Sequence, residues 1–119
     1  MLTAVLALAA TNCFAADVAS GATGDMVFTA TGLQLHGDAA TASKTTARIG
    51  KSSTGVGIGW TTSTAGYALV AQHMSGTKAY GSSYDSTAIY QSADGTPATV
   101  ILAKPTATDT TSFSSWKAM

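Results

Sequence analysis

The sequence predicts a mainly β domain built as an antiparallel meander, and three observations carry that expectation. Residues 53–74 alternate large apolar and small side chains at the period of a strand, on both sides of a turn-forming stretch. Turn signals recur further on, at Ser75-Gly76-Thr77 and at Asp94-Gly95. No long stretch of helical periodicity follows the first residues, and threonine, serine, alanine and glycine dominate instead.

Taken in order, the chain opens on an uncharged apolar run, Met1-Leu2-Thr3-Ala4-Val5-Leu6-Ala7-Leu8-Ala9-Ala10. The run is too short to span a bilayer and matches the apolar region of a signal peptide. Cleavage after Ala15 would put the small residues Cys13 and Ala15 at positions −3 and −1. The expected division is therefore a leader over 1–15 and a globular β domain over 16–119, exported and without a cysteine. Residues 17–24 read as a small-residue leader, extended or mobile. Met26–Ala30 reads as a short strand or apolar anchor, and Leu33–His36 as a second short strand. Ala39–Ala47 is expected to be loop, because its threonines disfavour a helix.

The stretch Ser53–Met74 organises the rest. Val56, Ile58 and Trp60 fall on one strand face, while Gly55, Gly57 and Gly59 leave the other bare. A glycine-lined strand face implies that something packs or passes close to it. Ser63-Thr64-Ala65-Gly66 is a turn longer than the two-residue type, and Tyr67–Met74 returns as the second strand of a hairpin. Lys78–Tyr80, Thr87–Gln91 and Ala98–Ala103 are the expected third, fourth and fifth strands. The Ser/Thr-rich tail to Met119 reads as disordered, except that Phe113 and Trp116 are placed to plug onto a surface.

The 119 residues make one domain at most, with no net charge and no glutamate. Nothing supplies the basic face that nucleic acid or an anionic membrane surface would need. Charged residues are only 10% of the chain, a composition that suits a subunit packed among copies of itself better than a free enzyme. His36, Asp38, His73, Asp85 and Asp94 are the available acid, base or metal-binding groups. None has metal-ligand spacing, and no carboxylates are paired. Asp85 and Asp94 in polar loops read as turn residues in preference to calcium ligands. Gly55-Val56-Gly57-Ile58-Gly59 lacks the spacing of a nucleotide loop and lies within a strand. No cofactor, catalytic set or metal is expected. Trp60, Trp116 and the tyrosines admit two uses, packing or the stacking of a sugar.

Three blocks carry a family resemblance: Ser53-Thr54-Gly55-Val56-x-x-Gly59-Trp60-Thr61-Thr62, Gly66-Tyr67-Ala68-Leu69-x-Ala71-x-His73 and Gly76-x-x-x-Tyr80. They resemble the globular sheet of type IV pilins, and Thr87-Ala88-Ile89-Tyr90 fits the strand that follows. The prepilin cleavage motif, the long N-terminal helix and the C-terminal disulfide loop of that family are absent from this sequence. A pilin head without its stem resembles the globular C-terminal chain of split type IV pilins of metal-reducing bacteria. That resemblance implies a meander lacking its own N-terminal helix. It also implies a short helical pilin chain as partner, neighbouring pilin subunits in a helical filament, and no membrane span of the chain's own.

Residue reading and resemblance meet at one physical requirement: the apolar face of a meander must be covered. A second sheet of the same chain would do so, or another polypeptide. The second case makes Val27, Phe28, Leu33, Leu35, Val56, Ile58 and Trp60 the expected partner interface. The expected function is then a structural subunit of a type IV pilus or secretion pseudopilus. A periplasmic chaperone for the short pilin and a secreted carbohydrate-binding or adhesion module are the alternatives.

Overall fold

The computed structural model describes residues 15–17, 23–36 and 48–119. The expected leader, apart from Ala15, and the loop expected over 39–47 lie outside the described residues. The described chain is mainly β. Its strands are β1 (Ala15–Asp17), β2 (Thr23–Gly24), β3 (Gln34–His36), β4 (Arg48–Lys51), β5 (Val56–Thr62), β6 (Tyr67–His73), β7 (Ala79–Ser83), β8 (Tyr90–Gln91) and β9 (Lys117–Ala118). They form a six-stranded sheet of order β2-β5-β6-β7-β8-β9 and a three-stranded sheet of order β1-β3-β4. All pairings in the large sheet are antiparallel, and β5 to β8 follow one another as a meander. In the small sheet β1 runs parallel to β3, and β4 antiparallel to it.

The central hairpin forms where alternation places it. Its ladder runs from Thr62 opposite Tyr67 to Val56 opposite His73, and the Ser63 N–H donates to the Gly66 carbonyl at 2.8 Å to close the turn. The register brings small residues into rows on one face: Gly57–Gln72–Ala79, Gly59–Val70–Gly81 and Thr61–Ala68–Ser83. This small-residue face is the buried one, and Met26, Val70 and Ala79 form the core with Phe28, Ile101, Leu102 and Trp116 against it.

The glycines admit close approach, as expected. A Cβ on Gly59 would lie 2.2 Å from the Ala103 carbonyl oxygen, and one on Gly57 would meet the side chains of Met26 and Phe28. What approaches is the chain's own C-terminal segment. From residue 96 to residue 116 it crosses the inner face as an irregular strap. The Gln72 side chain donates to the Thr99 carbonyl (2.8 Å) and accepts from the Ile101 N–H (3.0 Å). Further along, the Met26 N–H donates to the Ala103 carbonyl and the Thr61 hydroxyl to that of Pro105. The strap stays on this face, where Phe113 is 1% exposed and fills the space above Gly81. Phe113 stacks on Tyr90 and packs against Trp116, each with ring centroids 5.3 Å apart.

One expectation is corrected. Ala98–Ala103 is not a strand: Ala98 takes a positive φ of 62° after Pro97, and the Gln72 side chain occupies backbone groups that a ladder would use. Of the two readings of Met26–Ala30 the apolar anchor holds: the stretch forms no strand, and Met26 and Phe28 pack in and against the core. The bare glycine face is thus closed by the strap, whereas the face of Val56, Ile58 and Trp60 is met by the small sheet of the same chain.

Candidate functional site

With the small-residue face closed, the larger apolar side chains stand on the outer face. The hairpin register sets Trp60 opposite Leu69, Ile58 opposite Ala71 and Val56 opposite His73, so Tyr67, Leu69, Ala71 and His73 share the face of Val56, Ile58 and Trp60. Across this face sits the small sheet. It is tied down at Ser52, whose hydroxyl accepts from the Leu33 N–H and donates to the Val56 carbonyl, both at 2.8 Å. Between the two sheets lies a cleft of about 380 Å³, lined by Leu35 and Ile49 on one side and by Ile58, Trp60, Thr62, Tyr67, Ala68 and Leu69 on the other.

The expected interface residues do not all meet here. Leu35, Ile58 and Trp60 are brought together in the cleft. Trp60 is only 6% exposed, because its ring fills the space above Gly24 on the neighbouring strand. Val56 shares the outer face but lines a separate cavity beside His73. Phe28 packs on the other side of the sheet against Gly57. Leu33 is buried, and Val27 is exposed on the irregular stretch. The cleft also recruits residues that sequence reading passed over. Ile49 is 66% exposed at its rim, and Tyr67 and Leu69 are exposed as well. Hairpin parity would have found the latter two. A Ser63–Gly66 loop places Thr62 opposite Tyr67, and Leu69 follows on the same face.

The titratable groups are dispersed and serve as fasteners. His36 is buried in β3. Asp94 pairs with Lys78 at 3.0 Å, and that ammonium holds its carboxyl below the usual carboxylate range. The Asp85 carboxylate accepts from the Thr110 N–H (3.1 Å) and hydroxyl (3.0 Å). The Ser83 hydroxyl, then Thr110, hold the Asp85 carboxyl low. Asp38 lies outside the described residues. Among the described residues no group of three or more His, Cys, Asp or Glu side chains is placed to hold a metal, and no helix is long and apolar enough to cross a membrane.

Comparison with protein-family models, with curated proteins and with solved structures finds no match to this chain. The cleft is therefore interpreted from its own geometry. It offers shape and apolar surface, with the Thr62 and Tyr67 hydroxyls and the Trp60 indole as its polar side-chain groups.

Proposed function

We propose that the chain is a non-catalytic structural subunit of a type IV pilus or secretion pseudopilus, which pairs with a separate short helical pilin chain. The observation that carries this reading is the cleft. After the chain has closed its own core, Ile49, Tyr67 and Leu69 remain exposed around the buried Trp60, an arrangement of apolar rim and aromatic anchor that suits a docking surface. The residues of the pilin resemblance support it too, since they run through β5, β6 and β7, the strands beneath that surface. The partner's part in this reading is to cover the outer face; the core needs no second chain.

The reading makes the protein exported, present in the periplasm during assembly and then within a filament beside neighbouring subunits. Mass spectrometry of sheared, purified filaments tests it by giving both the mature N-terminus and the stoichiometry. A permanent subunit is expected at one copy per short pilin. A chain found only in the periplasm would instead be a chaperone, and its absence from filaments and from complexes with the short pilin would overturn both.

A further inference from the structure

The outer face carries a second cavity that the proposed pairing does not use. Its volume is about 400 Å³, within the range of small-ligand sites, and Val56, Ala71, His73, Thr77, Lys78 and Tyr80 shape it. No residue lines both this cavity and the cleft. The depression exists because Ala71, a small side chain, stands between Ile58 and Tyr80 in the cross-strand row.

We propose that this cavity binds a neutral saccharide. Tyr80 supplies the wall: it is 42% exposed, and its hydroxyl makes no hydrogen bond among the described residues. An aromatic ring left half in water with its polar tip unused suits a ligand that has both a C–H face and hydroxyl groups. His73 supplies a directed donor. The Ser75 N–H donates to His73 Nδ1 at 3.1 Å, which leaves the proton of the neutral imidazole on Nε2. Gly55 keeps that edge open, since a Cβ there would lie 3.2 Å from Nε2.

Charge chooses among ligand classes. Lys78 is paired with Asp94 at 3.0 Å, and Asp94 also accepts from the Thr77 hydroxyl at 3.3 Å. The rim thus offers donors and acceptors together with no net charge. An anion would have to displace the Asp94 carboxylate from Lys78, and a purely apolar ligand would strip water from His73 and Tyr80 without replacing its hydrogen bonds. Sugar hydroxyls, each able to donate and accept, match both requirements.

Amide-resolved NMR titration of the full chain tests the proposal, with cellotriose, maltotriose and tri-N-acetylchitotriose as probes at millimolar concentration. At least one is expected to shift amides confined to Val56 and residues 71–80. Tyr80→Ala is expected to abolish those shifts, and His73→Ala to weaken binding several-fold. Ala71→Phe, which fills the floor between Ile58 and Tyr80, is expected to abolish them too. Ile49→Asp, at the pilin-docking cleft, is expected to leave the titration unchanged, so failure of the pairing reading would not carry this one with it. The proposal is overturned if no probe moves the cavity amides, or if the shifts persist in both Tyr80→Ala and Ala71→Phe.

Discussion

Phe113 occupies the space that a side chain at residue 81 would need: a Cβ on Gly81 would lie 2.3 Å from the ring. The contact joins the end of the strap to the middle of β7, far apart in sequence, and it is fully dry at Phe113. Truncating a buried phenylalanine to alanine removes its transfer free energy and leaves a cavity, a loss of about 3–5 kcal/mol. Phe113→Ala is therefore expected to lower the denaturation midpoint sharply, and Gly81→Ala to destabilise from the opposite side. A Phe113→Ala midpoint equal to wild type would mean that the strap is not part of the cooperative fold.

The three glycines Gly59, Gly57 and Gly50 are expected to rank in that order when changed to alanine. At Gly59 the new methyl meets backbone, the Ala103 carbonyl, which has nowhere to move. At Gly57 it meets Met26 Cγ at 2.5 Å, a packed core side chain that can change rotamer where a backbone carbonyl cannot. Overpacking of this kind costs about 1–3 kcal/mol, with the rigid site at the upper end. Nothing lies within 4 Å of the Gly50 position, so Gly50→Ala is expected within about 0.5 kcal/mol of wild type. Urea denaturation of the three variants reads the order directly.

Gln72 is buried to 2% exposure and engages the strap through both ends of its amide. Leucine is close in size but leaves the Thr99 carbonyl and the Ile101 N–H without a partner, at about 1–3 kcal/mol for each buried group. Gln72→Leu is expected to destabilise despite raising the apolar content of the core. Hydrogen exchange should show faster loss of protection at the Ile101 amide than at the β5–β6 ladder.

The hairpin was legible because both signals that define it are local. Alternation at Val56, Ile58 and Trp60 fixed the strand, and Gly57 and Gly59 announced a close neighbour. The strap was not legible, because what holds it is isolated hydrogen bonds, from the Gln72, Thr61 and Asp85 side chains and the Met26 N–H, with no period along the chain. Its Ser/Thr-rich composition resembles that of an unstructured tail, and only Phe113 and Trp116 hinted otherwise. At the cleft, Trp60 and Ile58 stood out by their size, whereas Ile49 was hidden between Arg48 and Gly50. Which face needed covering was also inverted in part. The core lies on the side of small residues, whose burial contributes through close approach more than through area.

Acid is expected to loosen the strap at its Asp85 anchor. The Asp85 carboxyl is held low in the folded chain by Ser83 and Thr110, so folding favours the ionised form. The stabilisation is complete above the unfolded-state pKa and is lost as pH falls through the folded one. Asp94 contributes with the same sign through Lys78, so the readout must be local. The protection factor of the Thr110 amide, corrected for the pH dependence of intrinsic exchange, should fall on acidification, and Asp85→Asn should remove most of that fall while leaving the Lys78–Asp94 region unchanged. A Thr110 amide insensitive to both changes would show that the anchor does not hold the segment.

Pairing with a helical chain is expected to fail when a charge is placed in the cleft without harm to the fold. Leu69 and Ile49 meet that condition because both are exposed in the isolated chain; Leu69→Asp and Ile49→Asp should keep the wild-type melting temperature to within a few degrees. Docking would bury the new carboxylate against Trp60 and Ile58, where no cation is available to it among the lining residues. Co-purification with the short pilin should therefore be lost in both variants. Trp60→Ala is a poorer probe, since its ring also fills the space above Gly24 and its removal should weaken the fold itself. His73→Ala lies in the other cavity and should pair normally. Retention of wild-type stoichiometry by both aspartate variants would exclude the cleft as the docking surface, because neither change can be absorbed by an apolar helix lying in it.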